Sequence, residues 1–382
     1  MEFKPYSLTI LRIKKKQTMK KIVILLFIAA TICQPLIAQQ TATSDTARRR
    51  LQQTAVNDSL RRRFAPPPIG AMTPTRETPV HDPVMTKQGN KYYLFCTGNG
   101  VQVFSSLDMK NWRREAPVFS KTPEWVAKAI PGFRGSSMWA PDITFHNGKY
   151  YLYYSVSAFG KNTSCIGLVT NKTLDSASAD YKWEDQGKVV QSVPGRDQWN
   201  AIDPNLVIDE SNTPWLLFGS FWEGMKMVKL NDSLNKIAQP EQWYSVARRP
   251  RDFKTPDTSA GNAAIEGPFI FKKGKFYYLF VSWDYCCRGE KSDYKVMVGR
   301  STKATGPFID KNGVDLVANG GSAVVQGDNK EWFGVGHNAA YTFDNKDYLI
   351  YHGYDAKDRG RSKLIIQELK WENDWPEVTV KM

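Results

Sequence analysis

The sequence predicts an all-β protein folded as a five-bladed β-propeller. From Pro79 onward, short aromatic and β-branched runs alternate with Gly, Asn, Asp and Lys, the pattern of strands joined by tight turns. One aromatic run recurs five times, at 91–95, 149–154, 215–218, 276–280 and 348–351. A polar or acidic marker leads each run: Asp82, Asp142, Asp203, Glu266 and His337, at intervals of 60, 61, 63 and 71 residues. Self-similarity at a near-constant interval signals a repeat architecture. Units of this length suit four-stranded blades with insertions on one face, whereas a solenoid needs shorter units and a sandwich does not repeat.

Each aromatic run comes after a turn pair: Gly89-Asn90, Asn147-Gly148, Ser211-Asn212, Lys273-Gly274 and Asn345-Lys346. Before the repeats lie two segments of different character. In residues 1–38, Met19-Lys20-Lys21 precedes an apolar run from Ile22 to Ile32 and then Leu36-Ile37-Ala38. This is an export signal with its cut after Ala38, preceded by a short upstream extension. The apolar run is shorter than the roughly 20 residues of a membrane span, so no integral membrane protein is expected. The destination is the periplasm or the exterior, with lipid anchoring at Cys33 the lesser alternative. Residues 39–78, with two arginine triplets and Pro66-Pro67-Pro68, read as a solvated linker. Residues 79–382 form the propeller, expected to be a monomer.

The formal charge of +14 does not point to nucleic acid. Residues 1–70 carry 13 Lys/Arg against 3 Asp/Glu, so only +4 belongs to residues 71–382. Five cysteines in 382 residues are too few for a disulfide scaffold.

In a propeller the first strand of every blade lines the central channel, so the five markers should converge on its mouth. Four carboxylates and an imidazole gathered there suit chemistry on a polar substrate or a cation. Glycoside hydrolysis needs two carboxyl groups in different protonation states. Asp82 sits in His81-Asp82-Pro83, where proline restrains the following backbone; Glu266 has the longer arm. Asp203 would raise the pKa of Glu266 by like-charge proximity. Singly, Asp-Pro and Glu-Gly-Pro are ordinary loop chemistry; it is their common phase in a repeat that points to a site.

The motifs His81-Asp82-Pro83, Trp139-Ala140-Pro141-Asp142, Ala201-Ile202-Asp203-Pro204-Asn205 and Ala264-Ile265-Glu266-Gly267-Pro268 resemble the blade motifs of glycoside hydrolase family 43. Three further stretches, 219–225, Cys286-Cys287-Arg288-Gly289 and Gly336-His337-Asn338, are most similar to its endo-α-1,5-L-arabinanases. The resemblance implies an inverting hydrolase of arabinan with Asp82 as general base, Glu266 as general acid and Asp203 tuning and orienting that acid. Inversion requires the base and acid carboxyls to stand roughly 6.5–9.5 Å apart. It also implies that His337 helps hold an ion, usually calcium, among ordered waters, although calcium prefers oxygen.

Trp139, Phe221 and Trp222 are expected as aromatic platforms for sugar rings, and Asp142 and His81 as substrate contacts. Cys286-Cys287 is left open between a vicinal bridge and two thiols. Two rival functions remain: an exo-acting arabinofuranosidase or β-xylosidase with the same acids, and a carbohydrate-binding propeller without catalysis.

Overall fold

A computed structural model of the chain describes residues 66–378. The export signal, the cut after Ala38 and the linker up to residue 65 lie outside the described residues. Blade I is made from β1 (Met72–Pro74), β2 (Val84–Gln88), β3 (Lys91–Cys96) and, beyond the two-residue β4 (Gly98–Asn99), β5 (Gln102–Ser106) and β6 (Asn111–Arg114). Blade II is β7 (Ser137–His146), β8 (Lys149–Ser157), β9 (Ser164–Asn171) and β10 (Glu184–Ser192), with β4 added at the edge of β7. Blade III runs β11 (Asn205–Ile208), β12 (Pro214–Phe218), β13 (Met225–Lys229) and β14 (Trp243–Ala247). Blade IV runs β15 (Ile265–Lys273), β16 (Phe276–Trp283), β17 (Lys295–Ser301) and β18 (Ser322–Gln326). Blade V runs β19 (Trp332–Phe343), β20 (Lys346–Asp355), β21 (Arg361–Glu372) and β22 (Trp375–Val378). Between blades I and II lies one short helix, α1 (Glu124–Ala129), anchored by buried Val126.

All pairings are antiparallel, and the first strands touch their neighbours around a closed ring: β2 with β7, β7 with β11, β11 with β15, β15 with β19, and β19 with β2. The expected five-bladed β-propeller is what the chain forms. Two-residue hairpins join first to second strands where the sequence supplies residues that accept positive φ. Asn147 and Gly148 take +45° and +79°, and Asp344 and Asn345 take +50° and +62°, as a type I′ turn requires. The last of these lies one residue earlier than the expected Asn345-Lys346: the short Asp344 tolerates the left-handed region, while Lys346 pairs with Phe343. The turn of blade IV likewise falls on Gly274-Lys275, because Lys273 pairs with Phe276.

The core lies between blades. Leu94, Leu152, Leu216, Leu279 and Leu349, one from each second strand, are fully buried, each contributing about 1.5–3 kcal/mol by removal from water. Aromatic edges lock adjacent blades, as in Phe269–Tyr341 at 5.5 Å and Tyr92–Phe343 at 5.4 Å. Among the described residues, no strand is shared between blades V and I. Instead the Leu364 N–H donates to the Thr78 carbonyl at 3.0 Å, and Lys363 meets Glu77 at 2.8 Å.

Residues 66–78 therefore depart from the linker expected over 39–78. Strand β1 pairs with β6, with Met72 opposite Arg113 and Pro74 opposite Asn111, and Thr78 is buried. The segment lacks alternating apolar residues because it is held by backbone pairing and hydroxyl contacts rather than by a hydrophobic face.

Candidate active site

Just before each first strand, or at the bulge in its first half, one residue adopts left-handed φ: Asp82 (+55°), Ala140 (+42°), Asp203 (+59°), Gly267 (+56°) and His337 (+50°). Proline comes next in four blades and Asn338 in the fifth. Such strain in non-glycine residues persists only where the surroundings hold it. These five positions are the structural repeat, at intervals of 58, 63, 64 and 70 residues. The markers expected to share one phase do not all do so: Glu266 lies one residue before it and Asp142 two residues after.

The strain is held by a ring of clamps from blade to blade. Thr97 Oγ1 of blade I accepts the Ala140 N–H at 2.8 Å, and Ser155 of blade II accepts the Asp203 N–H at 3.0 Å. Ser282 of blade IV accepts the His337 N–H at 2.8 Å, and His352 Nδ1 of blade V accepts the Asp82 N–H at 3.1 Å. At the junction of blades III and IV the Asp203 carboxylate does this work, accepting the Gly267 N–H at 3.0 Å. Ser220, the blade III residue that would otherwise serve, instead donates to Glu266 Oε2 at 2.8 Å. Gly267 suits this place on two counts: it takes positive φ without side-chain strain, and a Cβ would crowd the His337 ring at 3.1 Å.

Asp82 is buried between imidazoles. Its Oδ1 lies 2.7 Å from His81 Nδ1 and 3.0 Å from His337 Nδ1, while Thr97 donates to Oδ2. Burial by itself would raise this carboxyl, but the charges of His337 and His81 outweigh it and hold the pKa well below the usual carboxylate range. Burial would in turn neutralise His81, yet the adjacent Asp82 carboxylate keeps its pKa well above the ordinary histidine value. His352 goes the opposite way: burial and the charge on His81 depress it. A neutral His352 accepting at Nδ1 carries its proton on Nε2, which faces the Tyr354 hydroxyl at 3.3 Å. Its Nδ1, 3.8 Å from Asp82 Oδ1, is therefore no ion-pair partner.

Glu266 accepts from Ser220 and, at Oε1, from the Tyr294 hydroxyl at 2.8 Å. Burial and the Glu266 charge push the Tyr294 phenol well up, so it stays a donor. Gly336 makes room for this ring, since a Cβ there would come within 2.4 Å of Tyr294 Cδ1. Asp203 is buried, and its carboxyl is pushed well above the ordinary value, first by desolvation, then by Glu266 and Asp82. The three acids are thus brought together with distinct surroundings: one among imidazoles, one between two hydroxyls and one buried beside other anions.

The remaining expected residues divide. Trp139, at the phase of Glu266 and His81, is half-buried and packs edge-on against Phe159 at 6.2 Å, itself exposed. Phe221 is half-buried, 6.0 Å from Tyr285. Trp222 does not face the cleft: it is buried, with its indole N–H donating to the Asp257 carbonyl at 2.7 Å. Asp142 is also withdrawn. It is 1% exposed and accepts from the Leu206 N–H at 2.7 Å and the Asn205 amide at 3.3 Å, joining blade II to blade III. No sugar can reach it there.

His337 fits a calcium ion poorly as a protein-built site. Its Nδ1 is engaged by Asp82, and among the described residues no cluster of three potential ligand atoms includes it. An ion at His337 would take one imidazole nitrogen from the protein and draw its oxygen ligands from water. Thr97, Ser220, Tyr294, His352 and Tyr354 were not anticipated. A signal for three of them existed: Thr97, Ser220 and His352 each end or follow an aromatic run at one phase of the repeat.

The glycosyl hydrolases family 43 model matches residues 72–376. The chain is 52% identical over 307 residues to the extracellular exo-alpha-(1->5)-L-arabinofuranosidase ArbA of Cellvibrio japonicus, covering 80% of this chain and 88% of that one. It is 40% identical over 301 residues to the extracellular endo-alpha-(1->5)-L-arabinanase 1 of Bacillus subtilis, covering 78% and 87%. The solved Cellvibrio cellulosa alpha-L-arabinanase complexed with arabinohexaose superposes with a TM-score of 0.78 at 51% identity, over 80% of this chain and 96% of the other. Carboxyl groups at a common rim, the propeller that gathers them and these matches lead to one assignment: the chain belongs to glycosyl hydrolase family 43.

Proposed function

We propose that the protein hydrolyses α-1,5-linked L-arabinan with inversion, outside the cytoplasm. The observation that supports this most is the division of the three acids into different electrostatic settings. Asp82, kept ionised by His81 and His337, takes the proton of the attacking water. Glu266, held between Ser220 and Tyr294, protonates the leaving oxygen. Asp203, its carboxyl pushed up by burial and by the Glu266 and Asp82 charges, tunes that acid and, through the Gly267 N–H, steadies the backbone next to it. Trp139 with Phe159, and Phe221, supply apolar faces for furanose rings.

The sequence motifs favour internal cutting. The greater identity to a relative named as exo-acting, 52% against 40% for one named as endo-acting, favours release from a chain end instead, with internal cutting the second reading. Export is supported by the extracellular relatives together with the signal-like residues 19–38. The test is to incubate the protein with linear arabinan, branched arabinan and xylan and follow the sugars released. One short arabinose product from the earliest times marks chain-end action, and a mixed ladder marks internal cutting. Activity on xylan alone overturns the substrate assignment.

A further inference from the structure

Cys286 and Cys287 lie on the loop after β16, both as free thiols, and the proposed chemistry gives them no task. Three potential ligand atoms, one each from His81, Cys286 and Cys287, all fall within 4.8 Å of one another. Cys287 Sγ stands 3.7 Å from His81 Nε2. Around a tetrahedral zinc ion, with bonds of about 2.3 Å to sulfur and 2.0–2.1 Å to nitrogen, ligand atoms are roughly 3.5–3.8 Å apart. The loop is pinned in place: Cys287 adopts φ +64°, and its N–H donates at 2.7 Å to the Tyr354 hydroxyl. That same hydroxyl lies 2.8 Å from His81 Nε2. The other face of the imidazole is also set, since Nδ1 meets Asp82 Oδ1 at 2.7 Å. A ligating histidine whose second nitrogen is held by a carboxylate is the usual outer-shell arrangement of a zinc site.

We infer that His81 Nε2, Cys286 Sγ and Cys287 Sγ form an inhibitory site for a thiophilic divalent cation of the zinc type. Two sulfurs and a nitrogen select such an ion over calcium or magnesium. Three protein donors leave the fourth position to water, and the exposure of Cys287 opens a path from solvent. On binding, both thiols and His81 Nε2 release their protons to solvent, and the imidazole leaves the Tyr354 hydroxyl for the metal. Asp82, 2.7 Å from His81 Nδ1, is then tied to an imidazole drawn toward the metal and away from the Tyr354 hydroxyl, which shifts the base from its place. Binding stands on the cluster alone; its effect on turnover rests on Asp82 being the base.

The experiment uses the full chain, reduced with a phosphine and freed of metal. Titration calorimetry with zinc chloride should give one ion per chain, and cobalt(II) should give a thiolate charge-transfer absorption. In Cys286→Ser/Cys287→Ser, zinc affinity should fall by more than about 100-fold, the loss that even an outer-shell partner can cause, and the cobalt band should vanish. Zinc should depress arabinan hydrolysis by the wild type, reversibly on chelation, while the double variant turns over as before and ignores zinc. Cys287→Ala, checked for native circular dichroism, provides a second variant should the first fail to fold. Absence of one-to-one binding to the reduced wild type, or equal binding by the serine variant, overturns the site. Stoichiometric, cysteine-dependent binding without inhibition overturns the regulatory effect and counts against Asp82 as base.

Discussion

Asp82 and Asp142 are both buried aspartates in neighbouring blades, yet their carboxyls move in opposite directions. Burial raises both; the difference is that Asp82 faces His337 and His81, whereas Asp142 has only neutral dipoles, the Leu206 N–H, the Asn205 amide and the Ile143 N–H, to oppose desolvation and is pushed up to about 7. In His81→Ala/His337→Ala, burial prevails, so the Asp82 pKa rises and the acidic limb of kcat/KM moves toward neutral pH; an unshifted limb would refute the role of the imidazoles. For Asp142 the fold binds its proton more tightly than the unfolded chain does. Its contribution is fully present below the unfolded pKa near 3.8 and is lost as pH rises through about 7. Urea unfolding of Asp142→Asn against wild type at several pH values should show the wild type losing stability relative to the variant between those limits, with no further relative change above.

Just before each first strand or in its first half stands a residue of positive φ whose N–H is held by the preceding blade, so these elements are aligned by backbone conformation and not by side-chain type. Reading the repeat by its acids located Asp82, Asp203 and Glu266, because carboxylates are visible in a sequence. It misjudged phase at Asp142, because nothing in Ala140-Pro141-Asp142 announces that alanine takes the positive φ. The clamp predicts a separation between stability and catalysis. Ser155→Ala orphans the Asp203 N–H and Ser282→Ala the His337 N–H, each costing about 1–3 kcal/mol for a buried unsatisfied donor. Thermal melts should register both to a similar degree. Ser220→Ala takes a donor from Glu266 and leaves the backbone clamp of Asp203 on Gly267 intact, so it should lower kcat well beyond its effect on melting. Equal ratios of kcat loss to stability loss in all three variants would count against a distinct place for Ser220.

For the molecule as a whole, the five-fold architecture was legible because every blade repeats the same buried leucine and aromatic run, a periodic signal that needs no partner to be read. Closure of the ring was not, since it depends on residues 72–78, whose Thr, Pro, Arg and Glu carry no period. Without a shared strand, blades I and V meet through packing, the Thr78–Leu364 hydrogen bond and the Glu77–Lys363 pair. Strand β1 also covers Trp112, which is fully buried and whose indole N–H donates to Thr75 at 3.2 Å. Removing residues 1–78 deletes the Thr78 and Glu77 contacts and the cover of Trp112, leaves the packing of Tyr92 on Phe343, and makes β6 an open edge. Compared with a chain lacking residues 1–65, the shorter form should therefore melt about 4–5 °C lower, as expected for a loss of roughly 3 kcal/mol in a domain of this size. Because the Asp82 carboxylate meets His337 and its N–H donates to His352, both of blade V, loosening that seam should reduce kcat at temperatures still below the melt. Equal melting and equal turnover in the two truncations would place closure of the ring elsewhere.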